Sequence, residues 1–144
     1  MGDIPNTHIR DYQRKRVYKA EDSCLFWGDT QIMTREQVED VVYKISQWAE
    51  IKPPKITEDG HEITYATKDK ISFTYPALKT LPYICHEMSH VILYNWKHVK
   101  NDYHGPNFCY IYLELIAWVL GRDTRNKLRK LFIKNGVQIS NNLV

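Results

Sequence analysis

No stretch of this chain is apolar for long enough to span a bilayer: nothing approaches the ~18–20 consecutive apolar residues that a transmembrane helix needs. The opening residues, MGDIPNTHIRDYQRKR, lack the apolar core of a secretory signal. Asn6 stands where N-myristoylation requires Ser or Thr. A cytoplasmic location is therefore expected. Cysteine is also scarce. Cys24, Cys85 and Cys109 form an odd, scattered set with no CxxC pair, which argues against a disulfide framework and against a zinc ribbon. Cys85 and Cys109 sit in apolar surroundings and read as small core residues. Internal repeats and low-complexity segments are absent too.

Charge of either sign is close to balanced, and the net charge of +3 is mild. Its distribution is not even. Residues 10–19 hold Arg10, Arg14, Lys15, Arg16 and Lys19 against Asp11 alone, and residues 122–134 hold Arg122, Arg125, Lys127, Arg129, Lys130 and Lys134 against Asp123 alone. Such segments attract phosphate backbones, so a weak nucleic-acid contact is one expectation. Solvated helix faces are the plainer reading of both.

What the chain does have is a globular composition and clear periodicity. Its 144 residues, 43% hydrophobic and 26% charged, suffice for one domain with a sizeable core. We expect that domain over residues 21–136, after a partly ordered basic segment 1–20 and before a polar tail 137–144. Residues 8–20 suggest a short basic helix anchored by Val17 and Tyr18, and CLFWGD (24–29) a short extended piece. From Thr34 to Glu50, Val38, Val41, Val42, Ile45, Trp48 and Ala49 recur at helical spacing, Thr34 and Gln37 form a capping-box pattern, and Pro53 and Pro54 close the helix. Alternation then predicts strands at Glu62–Thr67 and Ile71–Tyr75, with a possible third near Ile56 before Asp59-Gly60. We read a small antiparallel sheet of two or three strands, hence an α+β fold. Helices are predicted at Leu81–Tyr94, with Pro82 in its first turn, at Asn107–Leu120, closed by Gly121, and at Arg125–Lys134, capped by Asp123 or Thr124 and stopped by Gly136.

The chemistry lies in YICHEMSH, residues 83–90. On a helix, His86 and His90 fall on one face a turn apart and can direct two imidazoles at one ion. Glu87 points ~100° around the helix, beside such an ion rather than onto it, where it can take a proton from a water. The flanking Ile84, Cys85, Val91, Ile92 and Leu93 make this helix a buried one. Burying two imidazoles and a carboxylate without partners costs several kcal/mol, which a metal would offset. The alternative is a pair of core histidines bonded to backbone and a buried Glu paired with a Lys or Arg.

A catalytic zinc needs a third protein ligand and an open fourth position. His8 and His61 lie far upstream, and His98 sits among exposed loop residues. His104 is favoured: it follows a loop long enough for the chain to reverse and precedes the turn Gly105-Pro106. Glu114, in the mostly apolar YLELIAW, is the rival ligand, or else an outer partner that accepts from a ligand imidazole. Tyr103, Tyr110 and Tyr112 are candidate donors to an oxyanion. The strand Ile71–Tyr75 is a candidate to pair with an extended substrate.

HEMSH, then 13 residues, then HGPNF resembles the SprT-like zinc metallopeptidases, over roughly Thr34 to Gly121. The resemblance implies a zincin-like domain whose small sheet packs on helices. It implies Zn2+ held by His86, His90 and His104, Glu87 as catalytic base, and a protein or peptide substrate. Size and the basic start also resemble small metallopeptidase-like proteins of tailed phages, which would place the chain in the host cytoplasm. Two alternatives use the same residues differently: a non-catalytic, zinc-stabilised structural or virion-associated module, and a nucleic-acid-associated protein acting through the basic helices.

Overall fold

Thr34 and Gln37 form both halves of the predicted capping box. In the computed structural model, which describes residues 11–24, 31–58, 63–74 and 80–142, the Thr34 hydroxyl accepts from the Gln37 N–H at 3.2 Å. The Gln37 side chain accepts from the Thr34 N–H at 2.9 Å. Each satisfies a backbone donor that a helix start otherwise leaves unpaired.

The described residues form five helices and three strands: α1 Arg14–Asp22, α2 Arg35–Ala49, β1 Lys55–Thr57, β2 Tyr65–Ala66, β3 Lys70–Ser72, α3 Leu81–Asn95, α4 Pro106–Leu120 and α5 Arg122–Lys134. The α+β expectation holds. Among these residues no helix is long and apolar enough to cross a membrane. His8, His61, the Asp59-Gly60 turn, Glu62, Tyr75 and the apolar stretch 25–29 lie outside the described residues.

The chain divides into two compact units. One holds α2, the three strands and α3. Here α2 packs on α3, and α3 on β2. The stripe read from the sequence supplies Val38, Val42, Ile45 and Ala49 to the core, and Ile56, Ile71 and Phe73 join them from the strand region. Trp96 ties the end of α3 to the end of α2 by donating its indole N–H to Ala49 O at 2.9 Å. Arg35 does the same for the sheet, donating to Ile56 O at 2.6 Å.

The sheet corrects an expectation. It is mixed rather than antiparallel, in the order β1-β3-β2, with β1 parallel and β2 antiparallel to β3. Lys55 N–H donates to Asp69 O at 2.8 Å and Phe73 N–H to Thr57 O at 2.9 Å, locking the parallel pair. Alternation reports which face of a strand is buried, not which neighbour it pairs with. The fold of β3 also changes its role. Because β3 is bonded on both sides, residues 70–72 cannot receive a substrate strand; among the described residues β1 and β2 are the outer strands.

The other unit holds α1, α4 and α5, with α5 packed on both α4 and α1. Phe108, Tyr112 and Phe132 stack in sequence at centroid distances of 5.5 and 6.1 Å. Val17, Ala20, Leu115, Ile116 and Leu128 complete that core. Of the helix expected over residues 8–20, the described part begins at Arg14, and Tyr18 is exposed rather than an anchor, so Val17 and Ala20 do the anchoring. The last begins three residues before the predicted Arg125. Gly121, at φ +100°, ends α4 and starts α5 at once, a left-handed conformation that favours glycine. Thr124 then lies inside the helix, donating to Leu120 O at 3.3 Å instead of capping.

Candidate metal centre

Helix α3 begins with Pro82 in its first turn, where a missing N–H costs nothing. Ten of its residues are buried, among them Ile84, Met88, Val91, Ile92 and Leu93. At ~1.5–3 kcal/mol for each large side chain, this burial anchors the helix that carries the motif. Ser89 fits the apolar setting because its hydroxyl donates to Cys85 O at 2.7 Å. His86 and Glu87 are each 7% exposed, and His90 is half-buried. The two imidazoles meet edge to face, with centroids 5.1 Å apart. This is the juxtaposition the four-residue spacing predicts.

His104 stands in a turn built by Asp102. The Asp102 carboxylate accepts from Asn107 N–H at 2.8 Å and Phe108 N–H at 3.1 Å, capping α4. Gly105 N–H donates to Asp102 O at 2.9 Å. A Cβ on Gly105 would lie 2.6 Å from Asp102 Cγ, so only glycine lets the carboxylate fold over the helix start. Burial pushes the Asp102 carboxyl up, against the lowering effect of those backbone donors and of Lys100. One residue before His104, Tyr103 takes φ +61°, steadied by an N–H bond to Asn101 Oδ1 at 3.0 Å. His104 is 6% exposed. Its ring contacts Phe108 and Tyr18 edge to face at 5.0 and 5.1 Å.

The imidazole of His104 meets a carboxylate, but not the expected one. Its Nδ1 lies 3.1 Å from Asp11 Oδ2, and the side chains are 8% and 9% exposed. Glu114, the rival ligand or outer partner, instead faces Arg125 at 3.8 Å with its side chain 44% exposed. It lines a cleft of about 180 Å³ with Tyr110, Arg129 and Ile139. Glu114 therefore does not carry the burial that made it a candidate. Among the described residues, the ligand atoms of His86, His90 and His104 all lie within 4.8 Å of one another.

No family model matches the chain, and neither does a curated protein or a solved structure.

The remaining candidates resolve as follows. His98 is exposed, as its loop setting implied. Tyr112 is buried and donates its hydroxyl to Glu21 at 2.7 Å, which withdraws it as an oxyanion donor. Tyr110 belongs to the Glu114 cleft. Cys24, Cys85 and Cys109 are buried, as core residues should be. Burial pushes the Cys85 and Cys109 thiols well up, so neither offers a thiolate at neutral pH. Asp11 is the residue that sequence reasoning passed over. The one available signal was its position as the lone acid in a basic run.

Proposed function

We propose that this chain is a zinc-dependent metallopeptidase of the SprT-like kind, with His86, His90 and His104 as ligands and Glu87 as general base. The supporting observation is the gathering of three imidazole ligand atoms within 4.8 Å. A tetrahedral zinc held at about 2.0–2.1 Å from each nitrogen spaces its donors about 3.4 Å apart. Three neutral imidazoles suit zinc, and a set of three leaves the fourth position for water.

Bound zinc supplies a Lewis acid and lowers the pKa of water at the site toward ~7. Glu87 takes the proton of the attacking water and later delivers it to the leaving amine. Its burial, next to His86 in the chain, keeps the carboxylate at the motif and out of bulk water. Glu87→Gln keeps the shape of the side chain and removes its basicity. The expected result is unchanged zinc content with casein cleavage reduced by about 10²–10⁴-fold. Cleavage at the parental rate would remove Glu87 as the base. Bound zinc with no turnover of any substrate by the parent would favour the non-catalytic module.

A second reading has its own observation. The two basic segments, α1 and α5, pack on each other, so their cations share one unit. Arg16 even donates to Gly136 O, at 3.3 Å, just past the end of α5. If this surface holds nucleic acid, log affinity falls by roughly 0.9 per phosphate contacted for each tenfold rise in salt. Retention of duplex DNA measured at several salt concentrations checks it, and absent or salt-insensitive retention removes it.

A further inference from the structure

We propose that Asp11 is the positioning residue of the third imidazole, selecting Nε2 of His104 as the metal-binding atom, and that Gln13 holds the same turn in place. The proposal rests on the metal reading above and adds to it two residues far from the motif.

Three atoms of His104 are held by this one short segment. Its backbone N–H donates to Asp11 Oδ1 at 3.0 Å. Its ring Nδ1 lies 3.2 Å from Asp11 Oδ1 and 3.1 Å from Oδ2. Its carbonyl accepts from Gln13 Nε2 at 3.0 Å. Gln13 is fully buried. The same amide also donates to Gln138 O and accepts from Gln138 N–H, each at 3.0 Å. Residues before α1 and after α5 thus converge on the turn that carries His104. Gly105-Pro106 shapes this turn, and Asp11 and Gln13 fix where it sits.

The contact with Asp11 has a chemical consequence. An ionised carboxylate only accepts hydrogen bonds, so the imidazole nitrogen facing it carries the proton. With Nδ1–H turned to Asp11, the lone pair of the neutral ring is on Nε2. A metal-ligating histidine commonly donates its other ring N–H to a carboxylate, which fixes tautomer and orientation and raises ligand basicity. Asp11 meets every condition for that role: the donor distance, burial of both partners, and a second bond to the backbone of the same residue.

Asp11→Asn is the discriminating variant. It keeps the shape and an oxygen for the His104 N–H but turns an N–H donor toward Nδ1. Nδ1–H then faces an N–H donor in place of Oδ2 and keeps only a neutral amide oxygen, so the tautomer with its lone pair on Nε2 is no longer selected. Zinc affinity, measured by competition with a chromophoric chelator, should fall about 10–100-fold, while the apo variant keeps the parent's circular dichroism. Parental affinity in the folded variant overturns the proposal. A second measurement does not depend on any variant folding. In ¹⁵N-labelled parent protein, the ring nitrogens of His104 should show a protonated Nδ1 before and after zinc addition, with Nε2 taking the coordinated shift. Coordination through Nδ1 would overturn the assignment even if zinc binds. If the parent binds no zinc, the metal reading falls and this proposal falls with it. If the parent binds zinc and only the Asp11 results fail, the metal reading stands alone.

Discussion

Gly105 shows how much one side chain can decide. Its φ of −80° is open to any residue, so the demand for glycine is steric. A methyl group there would overlap Asp102 Cγ at 2.6 Å and Oδ2 at 2.9 Å. Gly105→Ala should push the carboxylate away from Asn107 and Phe108 and undo the α4 cap. A loss of about 1–3 kcal/mol is expected in urea unfolding, together with weaker zinc binding because His104 is the preceding residue. Stability within about 0.5 kcal/mol of the parent, an ordinary surface effect, would contradict the packing described. At this scale the sequence was most informative where spacing is short. His86, Glu87 and His90 are set by one helical turn, and the turn residues after His104 singled it out. The Asp11 partnership was invisible because 93 positions separate it from His104. No periodicity or turn rule spans such a distance, and Glu114 is an acid that lies nearer in sequence.

The elements divide in the same way. Helix α2 could be read from its cap and its stripe, because both are local and both survive folding. Helix α3 could be read as buried, although ten buried residues leave it little amphipathic contrast. The strands were legible as strands near their predicted places, but the parallel pairing of β1 with β3 was not. Pairing is chosen by the chain's return path, which alternation does not encode. Helix starts were off where a glycine replaced the usual cap. Gly121 contributes no side-chain acceptor, and the residues that do offer one, Asp123 and Thr124, lie inside α5.

For the whole molecule, the α+β class followed from the periods of successive segments, while the assembly of the site did not. The sequence identified which histidines could share an ion. It did not reveal that residues 11–13 and Gln138 would hold one of them. The proposed peptidase activity, tautomer and role of Asp11 all depend on one ion bound by three imidazoles. The most direct measurement is zinc stoichiometry by elemental analysis, with affinity by chelator competition, on the parent and on His104→Ala. One zinc per parent chain is expected. The variant should bind more weakly by more than the roughly 10–100-fold that loss of an outer partner costs. A parent that takes up no zinc, or a His104→Ala chain that binds it as tightly as the parent, would contradict the three-histidine centre.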